Sequence, residues 1–145
     1  MGDRGAKEAA TAVIFACVHN AGRSQMAAAF FNELADPGRA RALSAGTQPA
    51  STIHPVVVEV MREAGIDLAS NRPRRLTPEL AANATLLVTM GCGDQCPSVP
   101  GLEVADWPLP DPKDRPLAEV RTIRDDIRSR VLSLVDSRGW QRPVA

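Results

Sequence analysis

Thr11-Ala-Val-Ile-Phe-Ala-Cys17-Val-His-Asn-Ala-Gly-Arg23-Ser24 decides how the chain is read. Its first half is an apolar run of strand composition that ends at Cys17. Its second half is a short polar turn containing Gly22, and Gln25-Met-Ala-Ala-Ala-Phe-Phe-Asn-Glu-Leu34 then continues with the spacing of a helix. Cys-x5-Arg-Ser thus falls between a strand and a helix. A loop in that position can curl so that its successive N–H groups point inward, with the N-terminus of the helix beneath them, which makes a cradle for a tetrahedral oxyanion. Val18, His19, Asn20, Ala21, Gly22, Arg23 and Ser24 would line it, and Cys17 would sit at its floor. The positive potential that holds the oxyanion also favours a thiolate, the nucleophilic form of a cysteine. Arg23 supplies a planar, two-pronged donor for the equatorial oxygens. Thiolate attack on a phosphate-like centre is the chemistry this pattern suits. A buried, inert cysteine is the simpler alternative, and the strand, glycine and helix around Cys17 argue against it.

Length and composition bound the rest. With 145 residues the chain suits one domain with a core of its own. Its 17 basic and 17 acidic residues balance, which removes the electrostatic case for nucleic acid or an anionic membrane as a partner. The first ten residues are polar and charged, without the apolar length of a leader or a membrane span, so a cytoplasmic chain with a flexible extension over 1–10 is expected. A single domain over 11–137 and a tail over 138–145 follow. Three cysteines are an odd number, unsuited to a disulfide framework, which leaves catalysis, metal binding or burial.

Along the chain, strand and helix patterns alternate. The spacing predicts strands over 11–17, 39–45, 85–90 and 102–107. Helices are predicted over 24–35, from Pro55 to Ala64, briefly at Thr77-Pro-Glu-Leu80, and over 117–135, where Val120, Ile123, Ile127, Val131, Leu134 and Val135 recur at helical spacing. Asp36-Pro-Gly38 and Gly65 are stop signals. Strands that are apolar throughout, rather than alternating, belong to a parallel sheet covered on both faces. The predicted class is therefore α/β, a three-layer αβα sandwich with a four-stranded parallel sheet. Ligands on such sheets bind at the carboxyl ends of the strands, where Cys17 lies.

Asp111 lies in Trp107-Pro-Leu-Pro-Asp-Pro112, a stiff loop after the fourth strand that would overhang the same edge. A carboxylic acid there can protonate a leaving oxygen, although Asp-Pro is also ordinary turn chemistry. Cys92-Gly-Asp-Gln-Cys96 follows the third strand, inside a predicted loop from Gly91 to Gly101. Two such cysteines can close a disulfide if the segment is helical or bends. Their spacing also suits zinc, for which Cys17, His19 and His54 are the remaining candidate ligands.

Together these residues carry a resemblance. The loop with Asn20 and Arg23-Ser-Gln-Met-Ala27, the step Ser44-Ala-Gly46, the cysteine pair after Thr89-Met90, and Trp107 with Asp111-Pro112 resemble the arsenate reductases built on the low-molecular-weight protein tyrosine phosphatase fold. The similarity spans nearly the whole chain. The loop is shared with phosphatases, and the cysteine pair points to reductases. The resemblance implies that Cys17 attacks arsenate, that Arg23 and the loop amides hold the charge, and that Asp111 protonates the departing oxygen. It implies that Ser24 bonds and steadies Cys17, that Asn20 braces the loop, and that phosphate and sulfate compete with arsenate.

In the thioredoxin-linked members the resemblance further implies a Cys17–Cys92 disulfide that passes to Cys92–Cys96 as arsenite leaves. The better-known members separate the last two cysteines by more residues. A related branch takes mycothiol as the second thiol and regenerates through a small redoxin, so the electron donor stays open between the two. The family implies no tightly bound cofactor. Some relatives hold potassium near residues matching Asn20, Ser44 and Asp67. Two other classes remain: a phosphatase of the same fold, disfavoured because the chain has no Tyr to flank an aryl phosphate, and a zinc or redox-sensing module, which leaves Arg23 and Asp111 unused.

Overall fold

A computed structural model of the chain describes residues 10–91 and 99–143. Most of the expected N-terminal extension, and both Cys92 and Cys96, lie outside the described residues. Four strands, β1 (Thr11–Cys17), β2 (Ala40–Gly46), β3 (Leu86–Thr89) and β4 (Glu103–Asp106), alternate with four helices, α1 (Arg23–Leu34), α2 (Pro55–Glu63), α3 (Pro78–Ala82) and α4 (Leu117–Ser137). Every predicted element is present, with ends that differ by a few residues at most. The strands form one sheet in the order β2-β1-β3-β4, and every pairing is parallel. The α/β class and its four-stranded parallel sheet are as the sequence predicts.

Pairing register sets the working edge. Cys17 pairs with Gly46, Ala16 with Thr89, and Thr89 with Asp106, so all four strands end at nearly the same level. Along β1 the side chains alternate between two cores. Val13, Phe15 and Cys17 face a large cluster built with α1, α2 and α4, while Ile14 and Ala16 face a smaller one with Leu76 and Ala81. Both sets are buried, which is why the strand reads as a continuous apolar run rather than an alternating one.

Local chemistry ends the helices where the sequence says. Thr77 Oγ1 accepts the Leu80 N–H at 3.1 Å, a side-chain cap for the short α3. Gly65 takes a φ of 85°, the left-handed turn after α2. Glu63 at the end of α2 bonds Arg121 and Arg124 of α4, and the Arg121 hydrogen bond holds its carboxyl below the usual carboxylate range.

The segment after α4 differs from a plain tail. The Trp140 ring sits 5.8 Å from Phe31, edge to face, its carbonyl accepts from the Asp36 N–H at 2.7 Å, and Gln141 bridges Ala35. Aromatic burial at the end of α1 draws the chain back through residue 141. Phe31 is fully buried between Phe15 and Trp140. Phe31→Ala is expected to cost about 3–5 kcal/mol, read as a lowered urea midpoint.

Candidate active site

Loop 18–22 leaves β1 at Cys17 and enters α1 at Arg23. Its shape is imposed from outside. The carbonyls of Cys17, Val18, His19 and Ala21 accept the N–H groups of Thr47, Gln48, Ala50 and His54, at 3.3, 2.8, 2.9 and 3.0 Å. Turning these oxygens outward leaves the opposite sides of the same peptides facing inward. The N–H groups of Val18, His19, Ala21, Gly22 and Arg23 meet no protein acceptor among the described residues. Asn20 closes the curl in the left-handed region, with a φ of 52°. The product is a bowl of unpaired N–H donors at a helix N-terminus, the arrangement that binds an oxyanion.

Cys17 is 2% exposed at its floor. Its Sγ lies 3.3 Å from the Asn20 N–H, which donates to it, and 2.9 Å from Ser24 Oγ. A thiolate has no proton to give, so in that form Ser24 is the donor. Asn20 Nδ2 donates in turn to Ser24 Oγ at 2.7 Å, and Asn20 Oδ1 accepts from Gln25 Nε2 at 3.2 Å and the Arg74 N–H at 2.9 Å. Asn20, Ser24 and Gln25 are all buried, and each takes part in this network.

Close approach fixes the glycines. A Cβ on Gly46 would stand 2.6 Å from the Val18 oxygen, and one on Gly22 2.8 Å from Pro112 Cγ. The loop carrying Asp111 is therefore packed directly on the bowl. Asp111 Oδ2 is 3.8 Å from Arg23 Nη2, and its Oδ1 accepts the Lys113 N–H at 3.0 Å. Arg23 is buried, donates from Nη1 to the Leu109 carbonyl at 3.0 Å, and would collide with any Cβ on Gly91. Cys17, Arg23, Ser24 and Asp111 thus converge, and residues 18–24 form one rim as predicted.

The sequence profile of low molecular weight phosphotyrosine protein phosphatases matches residues 12–141. The chain belongs to that family. Within it, a Halobacterium salinarum protein named "Putative arsenate reductase" is 41% identical over 128 residues, covering 84% of this chain and 89% of that one. A Synechocystis glutaredoxin arsenate reductase is 32% identical over 126 residues, covering 85% of this chain and 95% of that one. Among solved structures, a Corynebacterium glutamicum thioredoxin-dependent arsenate reductase superposes with a TM-score of 0.78 at 38% identity. That match covers 90% of this chain, which spans 62% of the length of the Corynebacterium one.

Other expected sites are not assembled among the described residues of this phosphatase-family chain. No group of three or more His, Cys, Asp or Glu there could hold a metal ion. His19 Nδ1 lies 3.1 Å from the Gln48 carbonyl, committed to the loop. For potassium, Asn20 Oδ1 already accepts two N–H donors, while Asp67 accepts the Ala69 N–H and pairs with Arg62 at 3.6 Å. Ser44 lines a cleft with Arg72 and Arg74 and no carboxylate. This donor set does not suit a cation, and no chemical step is routed through one. No described helix is long and apolar enough to cross a membrane.

Three residues escaped the sequence reading. Gln25 was legible only as a polar residue on a buried helical face. Arg74 acts through its backbone N–H, which leaves no trace in side-chain identity. His54 caps α2, and its ring lies near Gly22 between the bowl and the Asp111 loop. Burial lowers His54 below its ordinary 6.5, reinforced by Lys113 and His19 and opposed by Asp111 and Asp114. Between the lowered value and 6.5 the folded state binds fewer protons than the unfolded chain, so stability falls as pH drops through that window. Urea midpoints measured across it should decline toward acid, and His54→Gln should flatten the decline.

Proposed function

We propose that this chain reduces arsenate to arsenite with Cys17 as the nucleophile. The observation that carries the reading is the bowl of inward N–H groups closed around a cysteine whose sulfur is bonded by Asn20 and Ser24. The named relatives supply the choice of arsenic as the centre attacked. Arsenate sits in the bowl with its charge held by the loop amides and Arg23. The Cys17 thiolate forms a sulfur–arsenic bond as one arsenic–oxygen bond breaks, and Asp111 protonates the oxygen that leaves as water.

A second thiolate, Cys92, then attacks Cys17 Sγ. The new disulfide forms as the sulfur–arsenic bond breaks, its electron pair stays on arsenic, and arsenic falls from the pentavalent to the trivalent state and leaves as arsenite. Cys96 attacks Cys92, which frees Cys17 and leaves a Cys92–Cys96 disulfide. A dithiol redoxin, of the thioredoxin or glutaredoxin kind, reduces it. Mycothiol with its own redoxin is the alternative donor.

Arsenite release and phosphate release from an aryl phosphate, measured side by side, test the reading. Arsenite release should dominate, and a protein that hydrolyses the ester but leaves arsenate unreduced is a phosphatase instead. Asp111→Asn keeps the shape and removes the proton, and should lower arsenate turnover by roughly 10²–10⁴ where chemistry limits the rate.

The relay has its own readout, peptide mapping after arsenate. Cys96→Ser should release one equivalent of arsenite and stop with Cys17 joined to Cys92, whereas Cys92→Ser should stall at or before the arsenic adduct. Normal cycling of Cys92→Ser when mycothiol and its redoxin are supplied would move the second thiol out of the chain.

A further inference from the structure

The deepest unexplained feature lies behind the bowl, away from Asp111. A cleft of about 500 Å³ opens between α1, β2 and segment 70–74, and Gln25, Ser44, Ser70, Asn71, Arg72 and Arg74 supply its polar lining. No carboxylate lines it. Both arginines are exposed, and neither guanidinium pairs with a described carboxylate. Elsewhere Arg62, Arg115, Arg121, Arg124, Arg130 and Arg138 each do. Two uncompensated guanidinium groups beside hydroxyl and amide donors favour an anion, a phosphoryl group above all.

Gln25 adds an independent requirement. It is 3% exposed, and its Nε2 donates toward the Asn20 carbonyl, Asn20 Oδ1 and the Arg72 carbonyl at 3.1, 3.2 and 3.3 Å. Three carbonyl acceptors settle which end of the amide is nitrogen. Its Oε1 is then a buried acceptor with no donor among the described residues. Such an oxygen calls for a ligand hydroxyl. The cleft volume is that of a small organic molecule, several times that of a bare oxyanion.

We propose that this cleft binds a small organic phosphate, with the phosphoryl group on Arg72 and Arg74 and a hydroxyl on Gln25 Oε1, and that its occupancy is transmitted to Cys17. The connection is continuous. Segment 72–74 is bonded to Gln25 and Asn20 through the Arg72 carbonyl and the Arg74 N–H, Asn20 bonds Ser24, and Ser24 bonds Cys17. A ligand that shifts this segment shifts the groups that hold the nucleophile. The inference needs only the bowl and its network, so it stands or falls separately from the arsenate reading.

Calorimetry of the full chain with ribose 5-phosphate, inorganic phosphate and ribose tests it. Carboxamidomethylation of Cys17 first fills the bowl, so that only binding elsewhere remains. Ribose 5-phosphate should bind the alkylated protein one to one and more tightly than either fragment. Arg72→Ala with Arg74→Ala, which leaves the backbone bonds in place, should weaken it by about tenfold or more. In unmodified protein, ribose 5-phosphate should change the rate of Cys17 alkylation, and the double variant should lose that change. Binding that vanishes on Cys17 alkylation, or survives intact in a double variant that melts like the parent, places the ligand in the bowl and overturns the proposal. So does the absence of binding up to about 10 mM.

Discussion

Everything at the working edge depends on four backbone hydrogen bonds that pull the carbonyls of residues 17, 18, 19 and 21 outward onto segment 47–54. A peptide plane holds its C=O and N–H on opposite sides, so fixing one direction fixes the other. The bowl is thus a by-product of how the chain leaves β2. The same contact accounts for Gly46, because β2 runs beside Cys17 so closely that a methyl group there would occupy the Val18 oxygen. Parallel pairing, a glycine at one register position and an oxyanion site are a single constraint seen at three scales.

That constraint explains what α1 lacks. Its N-cap is Gly22, with no side-chain cap, and no acidic residue occupies its first turn. Helices ordinarily satisfy their first N–H groups with Ser, Thr, Asp or Asn, and a carboxylate nearby is favourable to the dipole. Here either would fill or repel the anion site. The helix instead begins with buried Arg23, Ser24 and Gln25, held by partners on the loop, the Asp111 segment and segment 72–74. Stability that a cap would supply is left for the ligand, and the polar network keeps the uncapped end ordered.

Most of the frame was legible because its signals are local. An apolar run, a proline at a helix start and a glycine at its end each act over a few residues, and β1 through α4 follow them closely. The site was legible as far as side chains carry it, namely Cys17, Arg23, Ser24 and Asp111. What escaped acts through the backbone or across distance. Arg74 contributes an N–H, and any residue but proline could do so. Trp140 turns the tail back because Phe31 happens to stand at the right place on another helix. His54 marks a turn in the sequence, and only the packing of the Asp111 loop on Gly22 buries its ring.

The bowl itself does not choose between phosphate and arsenate, since both are tetrahedral and both suit the same N–H groups. Choice falls on the second step. A phosphatase must bring water to the atom bound to sulfur, whereas a reductase must bring a thiol to the sulfur before water arrives. The position of the next nucleophile is therefore the deciding quantity. β3 ends at Thr89, beside β1, and the chain passes through Gly91, whose backbone lies so close to Arg23 Nη1 that a Cβ would stand 2.6 Å from it. Gly91 takes a φ of 104°, open to glycine and strained for other residues. The next residue in the sequence is Cys92, whose Cα can be no farther than about 3.8 Å from that of Gly91. A thiol is thereby tethered at the rim of the oxyanion site, one residue beyond the arginine that holds the anion, and its effective concentration against the Cys17 adduct does not depend on diffusion.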